Sequence, residues 1–169
     1  TVSIFDCLYK EHAEILKVFM KLKKNRSKFE SENLMDTLIE RILNRDEYNA
    51  LDYTLHYPLY LLVGNCSPLT KYERKYALDN RSHVDFIIYN KLDKQPVIGI
   101  EVDGYAYHAN NPEQLARDKL KNSIFNKINL PLLRFATHES GEKRKLINAL
   151  DNLRSPITRS EEERFTSNF

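Results

Sequence analysis

Two stretches decide how this chain folds: His83-Val84-Asp85-Phe86-Ile87-Ile88-Tyr89 and Val97-Ile98-Gly99-Ile100-Glu101-Val102-Asp103. Both are dense in β-branched and aromatic residues, and the turn-like run Asn90 to Pro96 separates them. They read as two antiparallel strands of a hairpin, closed by Gly104. Side chains alternate faces along a strand, so Glu101 and Asp103 point the same way, and Gly99 on that face leaves room beside them. Asp85, on the antiparallel neighbour, falls opposite this pair. Three carboxylates then converge at one end of a hairpin whose other residues are apolar.

Such a cluster is costly, because carboxylates repel and a buried unpaired charge is worse. Two arrangements remove the cost: a divalent cation neutralises the acids, or basic side chains pair with them. Hard oxygen ligands with room for water suit Mg²⁺ or Mn²⁺. An isolated Glu-x-Asp would read as an ordinary strand end and Asp103-Gly104 as a turn. The strand-borne Asp85 across the hairpin is what gives the cluster weight.

Downstream, Pro112 after Asn110-Asn111 is a helix-start signal, and the helix runs to about Lys127 with Leu115, Leu120, Ile124 and Phe125 as its apolar positions. Gln114, Arg117, Asp118 and Lys121 share a face of it, with Lys119 nearby. A polar helix face beside an acidic cluster is what phosphodiester cleavage needs, namely charge for the phosphate and a group to position water. A solvated helix face is the plainer reading of those residues taken alone. Pro131 to Phe135 reads as a short buried strand, and Gly141 opens a last helix with Leu146, Ile147, Leu150 and Leu153.

Upstream, Ser31 is an N-cap for a helix through Leu34, Met35, Leu38, Ile39, Ile42 and Leu43, with Glu32 in its first turn. Thr54 to Val63 alternates through Leu55, Tyr57, Leu59, Leu61 and Val63, broken at Pro58, as an edge strand or the entry to one. Gly64 to Asn80 reads as a loop with room for a short helical piece. An amphipathic helix from Ile4 to about Leu22 comes first and runs into a basic stretch, Lys21 to Lys28, which reads as a solvated helix end.

The chain has 169 residues, 41% hydrophobic and 30% charged, so one compact domain with a sizeable core is expected. Ten Tyr and 8 Phe argue against disorder. The net charge of +2 is too small to indicate a partner by itself. Two cysteines, Cys7 and Cys66, without C-x-x-C spacing, fit neither a disulfide scaffold nor a zinc site. No apolar run approaches membrane-spanning length and no signal segment opens the chain, so a soluble, cytoplasmic, reducing setting without membrane contact is expected. Because it begins with Thr1, a piece of a longer protein is expected.

The combination His83-Val84-Asp85-Phe86, Ile100-Glu101-Val102-Asp103-Gly104, His108, Gln114, Arg117-Asp118, Lys121 and Pro131-Leu132-Leu133-Arg134-Phe135 resembles the PD-(D/E)XK nuclease superfamily. The branch is similar to very-short-patch-repair endonucleases and to the nuclease domain at the C-terminus of bacterial superfamily-one DNA helicases. The resemblance covers about residues 30 to 150. It implies an α/β fold of restriction-endonuclease-like type: a mixed central sheet with αβββαβ core topology flanked by helices, here with an extra N-terminal helix. Residues 1–29 would be the helical extension, 30–155 the nuclease core and 156–169 a charged tail.

The resemblance further implies that Asp85 and Glu101 are metal ligands, with Mg²⁺ as cofactor and Mn²⁺ as a substitute. Glu32 would complete the site from above, and Leu59 to Val63 would belong to the first core strand. The superfamily's third motif position is usually Lys and here is Asp103. Either Asp103 binds a second metal, or Lys119 or Lys121 reaches in, with Lys121 favoured on face geometry. Gln114, Arg117, Lys119, Lys121 and His108 would meet the nucleic acid; His83 also flanks the site, and a plain structural role is the simpler reading of either histidine. The expected function is Mg²⁺-dependent cleavage of DNA phosphodiesters within a larger helicase-nuclease. Two competing readings are a catalytically silent docking module of a helicase and an RNA-cleaving enzyme with the same site. The first helix could cover an open face of the core, join an upstream motor domain, or form a homodimer contact.

Overall fold

The computed structural model describes residues 25–64, 68–103, 112–136 and 140–153. The expected helix Ile4 to Leu22, His108 and the tail after Ser155 lie outside them. Labels follow chain order: α1 (Glu30–Leu43), β1 (Leu51–Pro58), α2 (Lys71–Ala77), β2 (His83–Asn90), β3 (Pro96–Asp103), α3 (Pro112–Lys127), β4 (Leu132–Ala136) and α4 (142–153).

The hairpin forms as its composition dictates. Phe86 pairs with Ile100 and Ile88 with Ile98, with a register shift at Ile88/Tyr89 where Pro96, lacking an N–H, enters the ladder. β1 joins the outer edge of β2 antiparallel, and β4 joins β3 parallel after the α3 crossover, giving a mixed sheet in the order β1-β2-β3-β4.

Both faces of the sheet are covered. Phe86, Ile88, Ile98, Ile100 and Phe135 pack against Met35, Ile39 and Ile42 of α1 and Leu146 and Leu150 of α4. Val84 and Ile87 pack on the other face against Ala77 of α2, Ile124 and Phe125 of α3, and Leu130. The fold is therefore an α/β layering with helices on both sides of a mixed sheet. No helix among the described residues is long and apolar enough to cross a membrane.

Three local expectations change. Helix α1 begins at Glu30 with Phe29 at its N-cap, so Ser31 lies inside the first turn. No side chain among the described residues caps the helix; Asn33 instead ties down the preceding loop, its Oδ1 accepting from the N–H groups of Arg26 and Ser27. Leu59 to Val63 are not strand: Pro58 ends β1 and Leu59–Leu61 form a 3-10 turn, with Leu59 and Val63 buried at helical spacing. The room expected at Gly99 is filled by Phe125: a Cβ there would lie 2.5 Å from its ring.

One irregularity positions the site. His56 has φ 48°, left-handed backbone that a non-glycine residue adopts at a cost. Leu55 packs in the α1/α4 cluster while Tyr57, two residues on, packs in the α2/α3 cluster. On the paired strand Phe86 and Val84 divide the same way. The strand pair thus turns over at the step between them, where His56 and Asp85 stand across from each other.

Candidate active site

The pairings Leu55↔Phe86, Tyr57↔Val84, Phe86↔Ile100 and Glu101↔Arg134 place His56, Asp85, Glu101 and Arg134 in one row across the four strands. Buried apolar residues flank this row on both sides, Phe86 and Ile100 on one and Val84 and Phe135 on the other, and the ionisable side chains come together between them.

Asp85 and Glu101 are braced to each other's strands. Glu101 Oε1 accepts from the Asp85 N–H at 3.3 Å, and Asp85 Oδ2 accepts from the Val102 N–H at 2.8 Å. Lys121 of α3 donates to both oxygens of Glu101 at 2.8 Å each. Glu101 and Lys121 are only 5% and 8% exposed, so this is a buried ion pair. Burial raises the Glu101 pKa to about 7, with the Asp85 charge adding and Lys121 and Arg134 opposing. Asp85 is pushed above the usual carboxylate range mainly by burial and also by Glu32, while the Val102 N–H, Lys121 and His83 pull it down.

Asp103 does not close a three-carboxylate cluster with them. It bonds Arg134 of β4 at 2.8 Å, and Arg134 also reaches Asn122 at 3.0 Å and Asp118 at 3.4 Å. Burial alone would lower the Arg134 pKa; Asp103 and Glu101 outweigh it and raise it. Gln114 donates to Asp118 at 3.3 Å. Gln114, Asp118 and Lys121 therefore do look toward β3 and β4. Arg117 turns outward, 3.8 Å from Glu113, and Lys119 is exposed. Glu32 is buried, and His56 Nε2 lies 2.8 Å from its Oε2. The His83 ring meets the His56 ring edge-on at 5.3 Å between centroids.

Among the described residues no group of three or more His, Cys, Asp or Glu side chains is assembled as a metal site. The donor chemistry of the Asp85–Glu101 pair still fits a hard divalent cation. Asp85 Oδ1 accepts no hydrogen bond among the described residues, yet no sealed side-chain polar atom lacks a partner, so Oδ1 keeps solvent contact. Two carboxyls held above their ordinary pKa values mark a place where added positive charge is favourable.

Sequence reasoning passed over His56 and Tyr76. Tyr76 of α2 is half-buried and lies close enough to Lys121, Glu101 and Asp118 for their charges to act on its hydroxyl. Nothing in the local sequence marks either: His56 sits in an apolar alternation before a proline, and its left-handed backbone leaves no composition signal.

Fold and site together define an α/β protein with an acid-and-lysine centre at one end of a mixed sheet. Residues 70–153 match the model of a family described as a protein of unknown function (DUF2726). The matched segment carries Asp85, Glu101, Asp103, Lys121 and Arg134, while Glu32 and His56 precede it. No curated protein and no solved structure shows a significant match.

Proposed function

We propose that this chain is a cytoplasmic, metal-dependent DNA endonuclease domain of restriction-endonuclease-like fold, carried by a larger helicase-nuclease polypeptide. The element order α1-β1-β2-β3-α3-β4 supports the αβββαβ reading, with α2 as an insertion between the first two strands. The observation that carries the function is the mutual bracing of Asp85 and Glu101 with Lys121 driven into the same pocket.

Asp85 and Glu101 would hold Mg²⁺ or Mn²⁺. When bound, the cation supplies Lewis-acid polarisation of the phosphate and a lowered pKa for water. Lys121 fixes the Glu101 carboxylate and adds positive charge where charge builds up on the scissile phosphate. A nitrogen donating to two carboxylate oxygens is not placed to take a proton from water, so Lys121 acts as a cation here. Asp103, through Arg134, steadies the face formed with Asp118 and Gln114. Arg117 and Lys119, both exposed, are available to the phosphates on either side.

The test is incubation of the chain with plasmid and with single-stranded DNA, each with Mg²⁺ or Mn²⁺. Cutting that disappears in Asp85→Ala and Glu101→Ala supports the assignment; cutting that persists unchanged in both overturns it. Competition between DNA and RNA substrates decides the nucleic acid. A second reading, a silent docking module of a helicase, is favoured by one observation: Lys121 already neutralises Glu101 without a metal. That reading expects no rise in melting temperature on adding Mg²⁺ or Mn²⁺.

A further inference from the structure

We infer that His56 is the group that takes the proton from the attacking water, with Glu32 as its positioning residue; this rests on the nuclease reading above. Three independent observations meet at His56. Its backbone is left-handed, φ 48°, at the step where the strand turns over and Leu55 and Tyr57 enter opposite apolar clusters. Its position in the sheet is opposite Asp85, between the pairs Leu55↔Phe86 and Tyr57↔Val84. Its ring is held at one end and open at the other: Nε2 lies 2.8 Å from Glu32 Oε2, and Nδ1 has no hydrogen-bond partner among the described residues.

The tautomer follows from the chemistry of the pair. An ionised carboxylate only accepts, so Nε2 carries the hydrogen and the neutral ring presents a bare lone pair at Nδ1. This is the arrangement of a base whose far nitrogen is fixed by an acid. The Glu32 side chain is 10% exposed and the His56 side chain 41%, so the holder is buried and the ring it holds reaches solvent. Glu32, which holds His56, acts on Asp85 from the α1 side of the sheet, and Lys121 acts on it from the α3 side. In the reaction the water oxygen forms a bond to phosphorus and its proton passes to His56 Nδ1. The ester P–O bond breaks, and the departing oxygen takes a proton from bulk solvent.

His56→Gly tests the role directly, because glycine adopts φ 48° without strain. The expected result is a chain that still melts cooperatively, at a temperature lowered only by the loss of the partner of Glu32, with Mg²⁺-dependent cutting reduced about 100-fold or more and partly restored by added imidazole. His56→Asn, which also tolerates this backbone, should fold and stay inactive. A second readout needs no catalysis: nitrogen NMR of the metal-free chain should show the His56 ring protonated at Nε2 and bare at Nδ1. A wild type that cuts beside a fully active His56→Gly, or a ring protonated at Nδ1 alone, overturns this inference and leaves the nuclease reading standing. A wild type that does not cut removes both.

Discussion

Glu101 is the residue on which the site turns, because burial and its Asp85 neighbour work against its charge while Lys121 works for it. The consequence for pH follows from linkage. A carboxyl whose folded pKa is raised to about 7 binds its proton more tightly in the folded chain than in the unfolded one. Its contribution to stability is therefore full at low pH and falls as pH rises from the ordinary glutamate value of 4.5 through about 7. Lys121→Ala sharpens this, because it strands Glu101 in the same low-polarity pocket. The variant should lose about 3 kcal/mol in urea unfolding at pH 9 and distinctly less at pH 6, where the stranded acid can protonate instead. An equal loss at both pH values would mean that the Lys121–Glu101 pair does not control the titration. Mg²⁺ should lower the Glu101 pKa in an NMR titration of the wild type, and a value unmoved by Mg²⁺ would count against the cation site.

At the scale of elements, two contacts set how the helices lie on the sheet. The ring of Phe125 of α3 sits against Gly99 of β3, where any side chain would collide with it. Gly99→Ala should cost about 1 to 3 kcal/mol in urea unfolding, and the smaller ring-free Phe125→Leu should recover part of it in the double variant. Full additivity would place the strain elsewhere. The second contact is Glu73, which closes the capping box of α2 with Thr70 and accepts from Ser123 and Lys127 of α3. The bonds from Lys127, Ser123 and Thr70 hold its pKa down to about 2. A depressed acid contributes stability above its unfolded value of 4.5 and loses it as pH falls through about 2. The difference in melting temperature between wild type and Glu73→Gln should therefore be largest above pH 4.5 and close as pH approaches 2.

Across the whole molecule, a row of ionisable groups crosses the sheet, and α3, which sends Lys121 to it, carries the exposed basic residues Arg117 and Lys119. If DNA lies there, its affinity should fall steeply with salt. Arg117→Ala and Lys119→Ala should each weaken binding about equally across sequences and reduce the slope of log affinity against log salt by about 1. Fluorescence anisotropy over a salt series measures this, and slopes unchanged in both variants would move the nucleic-acid path off α3.

The hairpin, α3, β4 and α4 were legible in the sequence within a residue or two, because β-branched runs and helical apolar spacing are local signals. So was the gathering of Asp85 and Glu101, since antiparallel pairing and a period of two leave little choice once the turn is placed. Leu59 to Val63 misled because alternation over five residues matches a strand and a tight turn equally well. The acids, the lysine and the hairpin that carries Asp85 and Glu101 were determined by the sequence alone, through the short-range preferences of each segment. What only the tertiary structure decided is pairing: Lys121 goes to Glu101, Arg134 draws Asp103 away, and Glu32 takes His56. Those choices depend on how α1 and α3 lie across the sheet, and that is fixed by distant packing such as Phe125 on Gly99, which no local pattern encodes.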